Sequence, residues 1–504
     1  MTSLFNIMVY LIGAGPGNPK LITVRGLECL KQADVVIYDY LVDKSLLGYA
    51  KPDAQIIYVG KKAGVHTLEQ NEINKLIVQK AKQKKYVVRL KGGDPYMFGR
   101  GAEEALTLLN AKIPFEVVPG VPAFLGVSAY AGIPVTHREF TSTVTLITGH
   151  EDPTKKASAV DFSKIAPGVG TLVFYMAVKN TPEIVKKLLA NGRSPDELCA
   201  FVEWGTTPKQ RTIVCTLKNA IAEVEKKKVS PPALFIVGKV VQLHKNLNWF
   251  EKLPLFGKSV VVTRTREQAS ELTSLLKEKG AYVFEFPTIK ISPVRNFSKL
   301  DKAIKKIKKF NWVIFTSRNG VKIFIDRVFR KGKDLRILDG VKICAIGPGT
   351  KDEFEKFGIK VDLMPDQYIN EGIIKKIKSI ENLRGKNILI PRASGARQIL
   401  VEELNKLGAN VLEIIIYNTV PDKTNVLDLK DKIKAGEIDF VSFTSSSTVK
   451  NFVQLLGIEF LKRYGKSLKF VSIGPVTSKT AKNLGLNIFG EARQHTIQGL
   501  VNTI

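Results

Sequence analysis

The stretch Arg89-Leu-Lys-Gly-Gly-Asp-Pro-Tyr-Met-Phe-Gly-Arg-Gly-Ala-Glu-Glu104 contains more residues with special backbone or charge roles than any other run of its length in the chain. The apolar, β-branched run at 86–90 predicts a buried strand, and the pattern at 102–109 predicts a helix after the loop. The loop therefore follows the carboxyl end of a strand, which is where ligands bind in open α/β sheets.

The composition of this loop suits a ligand. The pair Gly92-Gly93 leaves the main chain without a Cβ, so that a ligand can approach it closely. Asp94 precedes a proline, which holds it in an extended or turn conformation. Arg100 lies between two glycines and three residues before Glu103. A Gly-rich turn with a solvated Arg–Glu pair explains each feature alone, whereas their ordered combination favours a binding site.

The length of 504 residues is too great for one hydrophobic core and predicts roughly two to four domains. The composition, 44% hydrophobic and 25% charged, is that of a soluble globular protein. No apolar run is long enough to span a bilayer, and the first residues resemble no signal peptide. The four cysteines stand far apart and fit no zinc or redox spacing, which predicts core thiols in a reducing cytoplasm. No metal site is expected.

The net charge of +30 leaves three classes of protein open. A nucleic-acid binder would gather Lys and Arg on one face, and a membrane-surface protein would carry a basic amphipathic helix. The third class is an enzyme for polyanionic small substrates. The runs at 304–309 and 374–378 repeat Ile and Lys at helical spacing, which is typical of solvated helix faces. The total charge raises the local concentration of anions near clefts but does not identify the anion.

Predicted strands and helices alternate from end to end, which indicates an α/β protein. A change of composition around Pro254 predicts a linker at 246–257 between a domain at 1–245 and another at 258–504. The first domain is expected to divide into subdomains of about 1–140 and 141–245.

An internal repeat in the second half predicts two similar lobes facing each other across a cleft. Phe315–Val321 resembles Phe443–Val449, and Ala345–Thr350 resembles Ser472–Thr477, in the same order and at about the same spacing. Each segment is an apolar strand that ends in small hydroxylated residues before a helix.

The strand-end loops of the first half form a specific set. The loop Gly13–Gly17 alone is a weak dinucleotide signal, because it lacks the third glycine of the fingerprint and contains a proline. Together with the segments at 36–42, 58–64, 89–104, 119–120, 130–138, 148–150 and 203–207, it resembles the uroporphyrinogen-III C-methyltransferases of the tetrapyrrole methylase family. The resemblance covers about residues 7–245 and implies S-adenosylmethionine as cofactor.

The resemblance implies a tetrapyrrole methylase fold of two α/β subdomains with the cofactor in the cleft between them. The positions that would line the pocket are Pro16, Gly92, Gly93, Asp94, Met97, Pro122, Ala123, Met176 and Gly205. Asp94 would accept a hydrogen bond from the ribose or the amino group of the cofactor. The glycines would let the main chain touch the nucleoside.

The same resemblance assigns roles in the reaction, in which an electron-rich pyrrole carbon displaces the sulfonium methyl twice and loses a proton. Asp39 and Lys61 match the proton acceptor and donor, while Arg100, Glu103 and Arg138 match polar residues near the substrate. The arginines would hold substrate carboxylates through forked hydrogen bonds. Asp39 is the expected base, and Arg100 is the alternative.

Two departures from the family pattern put cofactor contacts in question. Asn18 follows Gly-Pro-Gly where the family usually has Asp. Pro122 and Ala123 stand where the family usually has a hydroxyl residue. The loss of that hydroxyl is expected to weaken one contact.

Residues from about 257 to 504 resemble the uroporphyrinogen-III synthases through fewer landmarks, which include the repeated segments and Tyr417. The resemblance implies a fold of two α/β lobes, about 258–292 with 422–504, and 293–421. Tyr417 would donate a hydrogen bond to the departing hydroxyl of hydroxymethylbilane. The residues expected to bind this substrate are Arg264, Ser317, Thr350, Ser446 and Thr477, with Arg392 as a further candidate. Helix capping is an equally good explanation of the hydroxyls.

The two resemblances support one function, because the product of the second half is the substrate of the first. The chain is expected to cyclise hydroxymethylbilane to uroporphyrinogen III with inversion of ring D, and to methylate that product at C-2 and C-7. The resulting precorrin-2 feeds sirohaem and cobalamin synthesis. The resemblance also implies a cytoplasmic homodimer formed through the methyltransferase half, with no nucleic-acid or membrane partner. The alternatives are methylation of another corrinoid or of RNA, and a non-enzymatic basic binding protein.

Overall fold

The structure, a computed structural model, describes residues 8–60, 69–83, 85–151, 160–264 and 266–504. Contacts between Cα atoms divide the chain into two compact units. The first unit comprises Met1–Val260 and Ser274–Val283, and the second comprises Val261–Thr273 and Phe284–Ile504.

Strands and helices alternate in both halves, which confirms the predicted α/β class. The strands before residue 240 are β1 Val9–Gly13, β2 Val35–Tyr38, β3 Gln55–Tyr58, β4 Val87–Lys91, β5 Phe115–Val118, β6 Val144–Thr148, β7 Thr171–Tyr175, β8 Leu198–Glu203, β9 Arg211–Thr216 and β10 Ala233–Val237. The helices before residue 250 are α1 Val24–Gln32, α2 Gln70–Lys82, α3 Gly101–Asn110, α4 Ala123–Ala131, α5 Phe162–Gly168, α6 Thr181–Ala190, α7 Ala220–Lys227 and α8 His244–Leu247.

The later strands are β11 Ser259–Val262, β12 Tyr282–Glu285, β13 Ile289–Pro293, β14 Trp312–Phe315, β15 Lys342–Ala345, β16 Asn387–Ala393, β17 Asn410–Pro421, β18 Phe440–Phe443, β19 Lys469–Ser472 and β20 Ile488–Glu491. The later helices are α9 Arg266–Glu278, α10 Ser298–Lys305, α11 Arg318–Arg330, α12 Pro348–Glu355, α13 Asn370–Ile380, α14 Ile399–Lys406, α15 Val426–Lys434, α16 Ser446–Leu456, α17 Ile458–Tyr464, α18 Pro475–Asn483 and α19 Ile497–Thr503.

The first sheet has the order β3-β2-β4-β1-β5, and all of its strand pairs are parallel. Every residue of β1, β2 and β4 is buried, as expected for parallel strands covered on both faces. Because β1 lies between β4 and β5, the loops that follow these three strands meet at one edge of the sheet.

The second sheet has the order β6-β7-β10-β8-β9. Strand β10 is antiparallel to both β7 and β8, so β7 and β8 run in the same direction and their following loops share an edge. Strand β9 lies at the other side of β8 as an antiparallel edge strand. Buried aromatic residues fill the core against this sheet, among them the stacked rings of Phe201 and Phe235.

The later part of the chain contains two further five-stranded sheets, β12-β11-β18-β19-β20 and β13-β17-β16-β14-β15. The two members of the sequence repeat are β14 with α11 and β18 with α16, each a buried strand followed by a helix. Strand β13 pairs antiparallel with the long strand β17. The lobe boundary predicted at 292/293 therefore falls at the end of a strand of the second of these sheets.

The segment predicted as a linker packs against α4. The indole Nε1 of Trp249 donates to the carbonyl of Ala129 at 3.1 Å. The ring of Tyr130 lies 5.0 Å from that of Trp249 and 4.7 Å from that of Phe250, which is buried. These contacts anchor residues 249 and 250 to the first unit. The domain boundaries themselves stay a prediction.

Within the described ranges, no helix combines the length and apolarity that crossing a membrane requires.

Candidate functional sites

Three glycines bring the loops after β1, β4 and β5 into backbone contact. A Cβ on Gly13 would lie 2.5 Å from the Cα of Gly120 and 2.6 Å from the carbonyl oxygen of Gly93. A Cβ on Gly120 would lie 2.3 Å from that same carbonyl oxygen. Gly93, at φ +68°, also exchanges two backbone hydrogen bonds with Gly15, at 2.7 and 3.2 Å. A side chain on Gly13 or Gly120 would force the loops apart.

Asp94 holds two of these loops in place. Its Oδ1 accepts from the amides of Tyr96 at 2.8 Å and Met97 at 3.2 Å, and its Oδ2 accepts from the amide of Gly120 at 3.0 Å. Such charge-assisted bonds to backbone amides are stronger than neutral ones. Both carboxylate oxygens thus brace the loops, a role that the sequence did not indicate alongside the expected bond to the cofactor.

Backbone strain is concentrated in loops that follow β4, β7 and β8. The non-glycine residues with positive φ in these loops are Phe98 (52°), Arg100 (59°), Met176 (54°), Trp204 (47°) and Thr206 (66°). Each such residue costs about 1–3 kcal/mol and persists where the surroundings fix it, commonly at functional sites. Arg100 and Met176 were both predicted as site residues.

Helix α4 is the surface against which loops from both sheets pack. A Cβ on Gly205 would lie 2.5 Å from both Cγ atoms of Val127, so only glycine fits there without a shift. A Cβ on Gly126 would lie 2.4 Å from the Cγ of Pro16, which shows how closely Pro16 packs on the same helix. Two residues expected in the cofactor pocket are thereby fixed by one helix.

Asn18, which departs from the family pattern, forms hydrogen bonds through both polar atoms of its side chain and through its backbone amide. Its Oδ1 accepts from the amide of Lys20 at 2.9 Å, and its Nδ2 donates to the hydroxyl of Tyr130 at 3.0 Å. Its own amide donates to Oγ1 of Thr206 at 3.0 Å. The side chain therefore ties the loop after β1 to α4, while its backbone holds the strained loop after β8.

Tyr175 caps α4 where Pro122 and Ala123 provide no hydroxyl. Pro122 occupies the N-cap of α4 and provides no side-chain cap, but the Tyr175 hydroxyl accepts from the amide of Phe124 at 2.9 Å. Burial raises the pKa of Tyr175 to about 12. Its ring lies 4.8 Å from that of Phe98 and so also supports the strained loop after β4.

A buried charge network lies behind Asp39. Arg89 donates from Nη2 to Asp39 Oδ2 and from Nε to Glu104 Oε1, both at 3.1 Å, and Lys91 Nζ donates to the same Glu104 oxygen at 2.9 Å. Arg89, Lys91 and Glu104 are almost fully buried, whereas the Asp39 side chain is 25% exposed. Burial and the nearby Arg89 charge lower the pKa of Lys91. Asp39 is thus held from the interior and open on its outer side.

Sequence reasoning left this network out, although Arg89 and Lys91 stand in the opening stretch. The alternation of a basic residue at positions 89 and 91 on an otherwise apolar strand is the signal that predicts a buried ion pair. Glu104, which completes the network, faces the sheet from α3.

Of the remaining predicted residues of the reaction, Arg100, Glu103 and Arg138 lie at the surface. Arg100 forms a forked pair with Glu103, with Nε–Oε1 and Nη2–Oε2 distances of 2.8 and 2.6 Å. This pair lowers the pKa of Glu103. Arg138 is exposed in the tight turn between His137 and Thr141. Lys61 lies outside the described residues.

The residues present fit S-adenosylmethionine. Gly93, with Gly13 and Gly120 packed against its carbonyl, forms a glycine cradle that leaves room for a nucleoside, because a Cβ on Gly93 would meet only the amide nitrogen of Ala123, at 3.7 Å. Gly92 has no room for a Cβ, which would lie 2.5 Å from the Cβ of Leu41. Met97 is partly buried and Met176 is 52% exposed, so both offer an apolar sulfur-containing side chain to a ligand. The chain thus supplies main-chain and apolar contacts from the loops that follow β4 and β7.

In the second half, Tyr417 and Ser317 form a polar pair. Their hydroxyl oxygens lie 2.8 Å apart, and Ser317 also accepts from the amide of Gly320 at 3.0 Å as the N-cap of α11. Tyr417 is 5% exposed, and burial raises the pKa of its hydroxyl. Ser317 therefore caps α11, as the capping interpretation predicts, and also contacts Tyr417. Its contact with the substrate stays a prediction.

An open pocket of about 270 Å³, called here the hollow, lies beside this pair and is lined by positively charged side chains. Arg264 and Arg318 both line it, together with the first turn of α12 around Gly349. A Cβ on Gly349 would lie 2.4 Å from two guanidinium nitrogens of Arg318, so the missing side chain makes room for the cation. Burial and the neighbouring Arg318 charge lower the pKa of Arg264. Two cations beside a helix N-terminus suit a carboxylate. Sequence reasoning missed Arg318.

The other predicted hydroxyls differ in their surroundings. Thr350 and Thr477 are each 5% exposed, in the first turns of α12 and α18. Ser446 donates to the carbonyl of Val476 at 3.3 Å and accepts from Thr480 at 2.8 Å. The residue that corresponds to Ser317 in the repeat is Ser445, which caps α16.

Arg392 is wrong as a partner for a substrate carboxylate. It is 1% exposed, and its guanidinium donates to Glu413 at 2.6 Å, to the carbonyl of Arg397 at 3.0 Å and to Gln398 at 3.1 Å. Its donors are used within the fourth sheet and its neighbouring loop.

The chain matches two protein families. Tetrapyrrole (Corrin/Porphyrin) Methylases match residues 8–221, and Uroporphyrinogen-III synthase HemD matches residues 270–502. The chain is also similar to curated relatives. The porphyrin biosynthesis protein HemD of Ruminiclostridium josui is 36% identical over 500 residues, 98% of this chain and 97% of the relative. The uroporphyrinogen-III C-methyltransferase of Bacillus subtilis (strain 168) is 38% identical and covers 75% of this chain, which in turn covers 77% of it.

A third relative resembles the first half alone. The S-adenosyl-L-methionine-dependent uroporphyrinogen III methyltransferase of Methanosarcina barkeri (strain Fusaro / DSM 804) is 51% identical over 236 residues, 47% of this chain and 92% of the relative. The similarity to the Ruminiclostridium protein, by contrast, runs through both halves.

Proposed function

The chain belongs to the family of HemD porphyrin biosynthesis proteins and uroporphyrinogen-III C-methyltransferases, and from this we infer that it catalyses two consecutive steps of tetrapyrrole synthesis. The second half is a uroporphyrinogen-III synthase that cyclises hydroxymethylbilane with inversion of ring D and loss of water. The first half is an S-adenosylmethionine-dependent methyltransferase that converts the product to precorrin-2 by methylation at C-2 and C-7. Precorrin-2 then feeds sirohaem or cobalamin synthesis.

One observation carries the methyltransferase proposal: the glycine cradle and Asp39 lie at the carboxyl edge of the same sheet. When bound, the cofactor supplies an activated methyl group, so the protein must chiefly align the two reactants. The cradle around Gly93 and the side chains of Met97 and Met176 would hold the cofactor. Asp94 would fix the loops that shape the pocket.

Asp39 is proposed as the base that removes the proton from the methylated pyrrole carbon. Its contact with Arg89 points one oxygen inward and leaves part of the side chain open to a substrate. Arg100 would bind a substrate carboxylate by exchanging its partner Glu103, while Lys61 and Arg138 would act as proton donor and carboxylate partner. A base fixed from behind in this way loses little freedom when the substrate binds.

The synthase proposal rests on the Tyr417–Ser317 pair beside the hollow of Arg264 and Arg318. Tyr417 would donate a hydrogen bond to the departing hydroxyl of hydroxymethylbilane, and its raised pKa keeps the proton available. The two arginines would hold carboxylates of the substrate. Thr350, Ser446 and Thr477 would add weaker hydrogen bonds.

Incubation of the full chain with hydroxymethylbilane tests both activities. Uroporphyrinogen III is expected without the cofactor, and precorrin-2 is expected with S-adenosylmethionine. Uroporphyrinogen III with no methylated product would exclude the methyltransferase assignment, and methylation only of uroporphyrinogen III supplied directly would exclude the synthase assignment. Transfer of the methyl group to RNA or to a later corrinoid, and not to uroporphyrinogen III, would show that the methyltransferase half acts on that other substrate.

A cytoplasmic homodimer formed through the first half is also proposed. Leu106 and Leu109 on α3 are 59% and 61% exposed and offer apolar surface to a second copy. Light scattering of the full chain should give twice the mass of one chain. A monomeric mass at micromolar concentration would exclude the dimer.

A further inference from the structure

Two cysteines that are far apart in the sequence face each other in the second sheet. Strands β8 and β9 are antiparallel, and their register places Cys199 directly opposite Cys215. The two sulfur atoms lie 3.5 Å apart. Both are free thiols, as the sequence predicts, but their spacing gave no sign that they face each other, because spacing along the chain carries no information about strand register.

The geometry of the two strands suits a disulfide. Directly opposed residues of antiparallel strands have Cα atoms about 4.5–5.5 Å apart, within the range of about 4.4–6.8 Å found in disulfides. Closing the sulfur separation from 3.5 Å to a bond of about 2 Å requires side-chain rotation and a small approach of the strands. Strand β9 is the edge of its sheet, so it can move without breaking a second ladder.

The surroundings give the two thiols different roles. Cys199 is fully buried, whereas Cys215 is partly exposed. The hydrogen bond from the Cys199 thiol lowers the pKa of Cys215, while burial and the carboxylate of Glu223 oppose this shift. The pKa of Cys199 is raised by the same hydrogen bond and by burial, with a further contribution from Glu197. Cys215 is thus the accessible nucleophile and Cys199 the second thiol behind it.

We propose that Cys199 and Cys215 form a reversible dithiol–disulfide site that reacts with the oxidised form of a low-molecular-weight thiol. The Cys215 thiolate attacks one sulfur of the small disulfide, breaks its S–S bond and releases the first small thiolate. Cys199 then attacks the Cys215 sulfur of the mixed disulfide and releases the second. The protein loses two electrons and two protons, and the small disulfide becomes two thiols.

The other cysteines provide an internal reference. Cys29 and Cys344 are fully buried, and burial raises the pKa of both. Both should stay reduced under conditions that oxidise the pair. The site depends on neither the methyltransferase nor the synthase assignment, so its test is independent of them.

The test treats the folded full chain with glutathione disulfide at neutral pH, followed by intact-mass measurement, thiol titration and peptide mapping. Two thiols should disappear, with a mass loss of two hydrogens and a cross-link between the peptides of Cys199 and Cys215. Dithiothreitol should restore both thiols. Retention of all four thiols, or a cross-link that involves Cys29 or Cys344, would overturn the proposal.

Variants separate the two steps. Cys199→Ala should stop at a mixed disulfide with one glutathione on Cys215, whereas Cys215→Ala should gain neither the adduct nor the cross-link. Cys344→Ser is the matched control and should oxidise like the parent chain. If Cys215→Ala still loses two thiols, the pairing is wrong. Alkylation rates of the unmodified chain give a second measurement that needs no variant, and Cys215 must then react faster than the other three.

Discussion

The two halves of the chain hold their sites by different means. The seven non-glycine residues with positive φ in the described part of the chain all lie before residue 260, and five of them are in loops that follow β4, β7 and β8. After residue 260, positive φ occurs in the described residues only at glycines. There the candidate site consists of hydroxyls, helix N-termini and arginines on relaxed backbone.

This difference fits the two proposed reactions. Methyl transfer requires two reactants in one alignment, so backbone strain of about 1–3 kcal/mol per residue is retained to fix the loops. Cyclisation of a long polycarboxylate requires many donors that can follow a flexible ligand. The comparison predicts that single substitutions act on one activity and leave the other unchanged.

The largest effect is expected from Asp94→Ala. The change removes the acceptor of three backbone amides, each bond to a charged group being worth about 1.5–3 kcal/mol. The affinity for S-adenosylmethionine, measured by titration calorimetry, should fall at least about 100-fold, while synthase activity stays normal.

The control for Asp94 is Asp334→Ala in the second half, which removes a similar carboxylate that accepts a hydrogen bond from the backbone amide of Arg336. It should leave cofactor affinity unchanged. Equal affinity in Asp94→Ala and the parent chain would show that the loops do not depend on this carboxylate.

A smaller effect is expected from Tyr417→Phe, which should impair the synthase and leave the methyltransferase unchanged. The ring is retained and only the hydroxyl that lies 2.8 Å from Ser317 is removed, so the synthase rate should fall about 10- to 100-fold with methyl transfer unchanged. An unaltered synthase rate would remove Tyr417 from the site.

The pH dependence checks the same residue. Because the pKa of Tyr417 is raised, its hydroxyl stays protonated throughout the neutral range and loses its proton only above the ordinary value for tyrosine. The parent rate should therefore show no decline from this group between neutrality and about pH 10. A decline near pH 8 that disappears in Tyr417→Phe would contradict the assignment.

An intermediate effect is expected from Arg318→Met. The KM for hydroxymethylbilane should rise about 10-fold, because one charge-assisted bond to a carboxylate is lost, and kcat should change little. Gly349→Ala should act in the same direction by displacing the guanidinium. Arg330→Met, at the opposite end of α11, should have no effect; a similar rise in KM there would indicate a general charge effect.

The smallest effect is expected from Ser446→Ala. Its hydroxyl is already engaged with Val476 and Thr480, so it can offer little to a substrate. The synthase rate should fall by no more than about 2-fold, within the value of one weak hydrogen bond. If Ser446→Ala lowers the synthase rate as much as Tyr417→Phe does, the two repeated segments contribute equally to the synthase site.

The sequence predicts local structure well where a pattern is continuous. Strand β4 and helix α3 end within one residue of the predicted bounds 86–90 and 102–109, because a continuous apolar pattern marks each of them. The candidate site residues on glycine loops are also brought together, since those loops follow neighbouring parallel strands.

What the sequence did not show depends on side-chain direction and strand register. The approach of Arg318 to Gly349, the contact of Arg89 with Asp39 and the pairing of Cys199 with Cys215 each join segments whose spacing is unrelated to their distance. Asp94 was predicted as a pocket residue from its loop alone, but its three amide bonds depend on the fold of two separate loops.

The anchoring of Trp249 and Phe250 against Tyr130 has a practical consequence for dividing the protein. A first half ended at residue 245 would lose both rings from α4, the helix that also supports Pro16 and Gly205. Ending it at 257 would retain them. The aromatic segment therefore belongs with the methyltransferase when the two activities are produced as separate polypeptides.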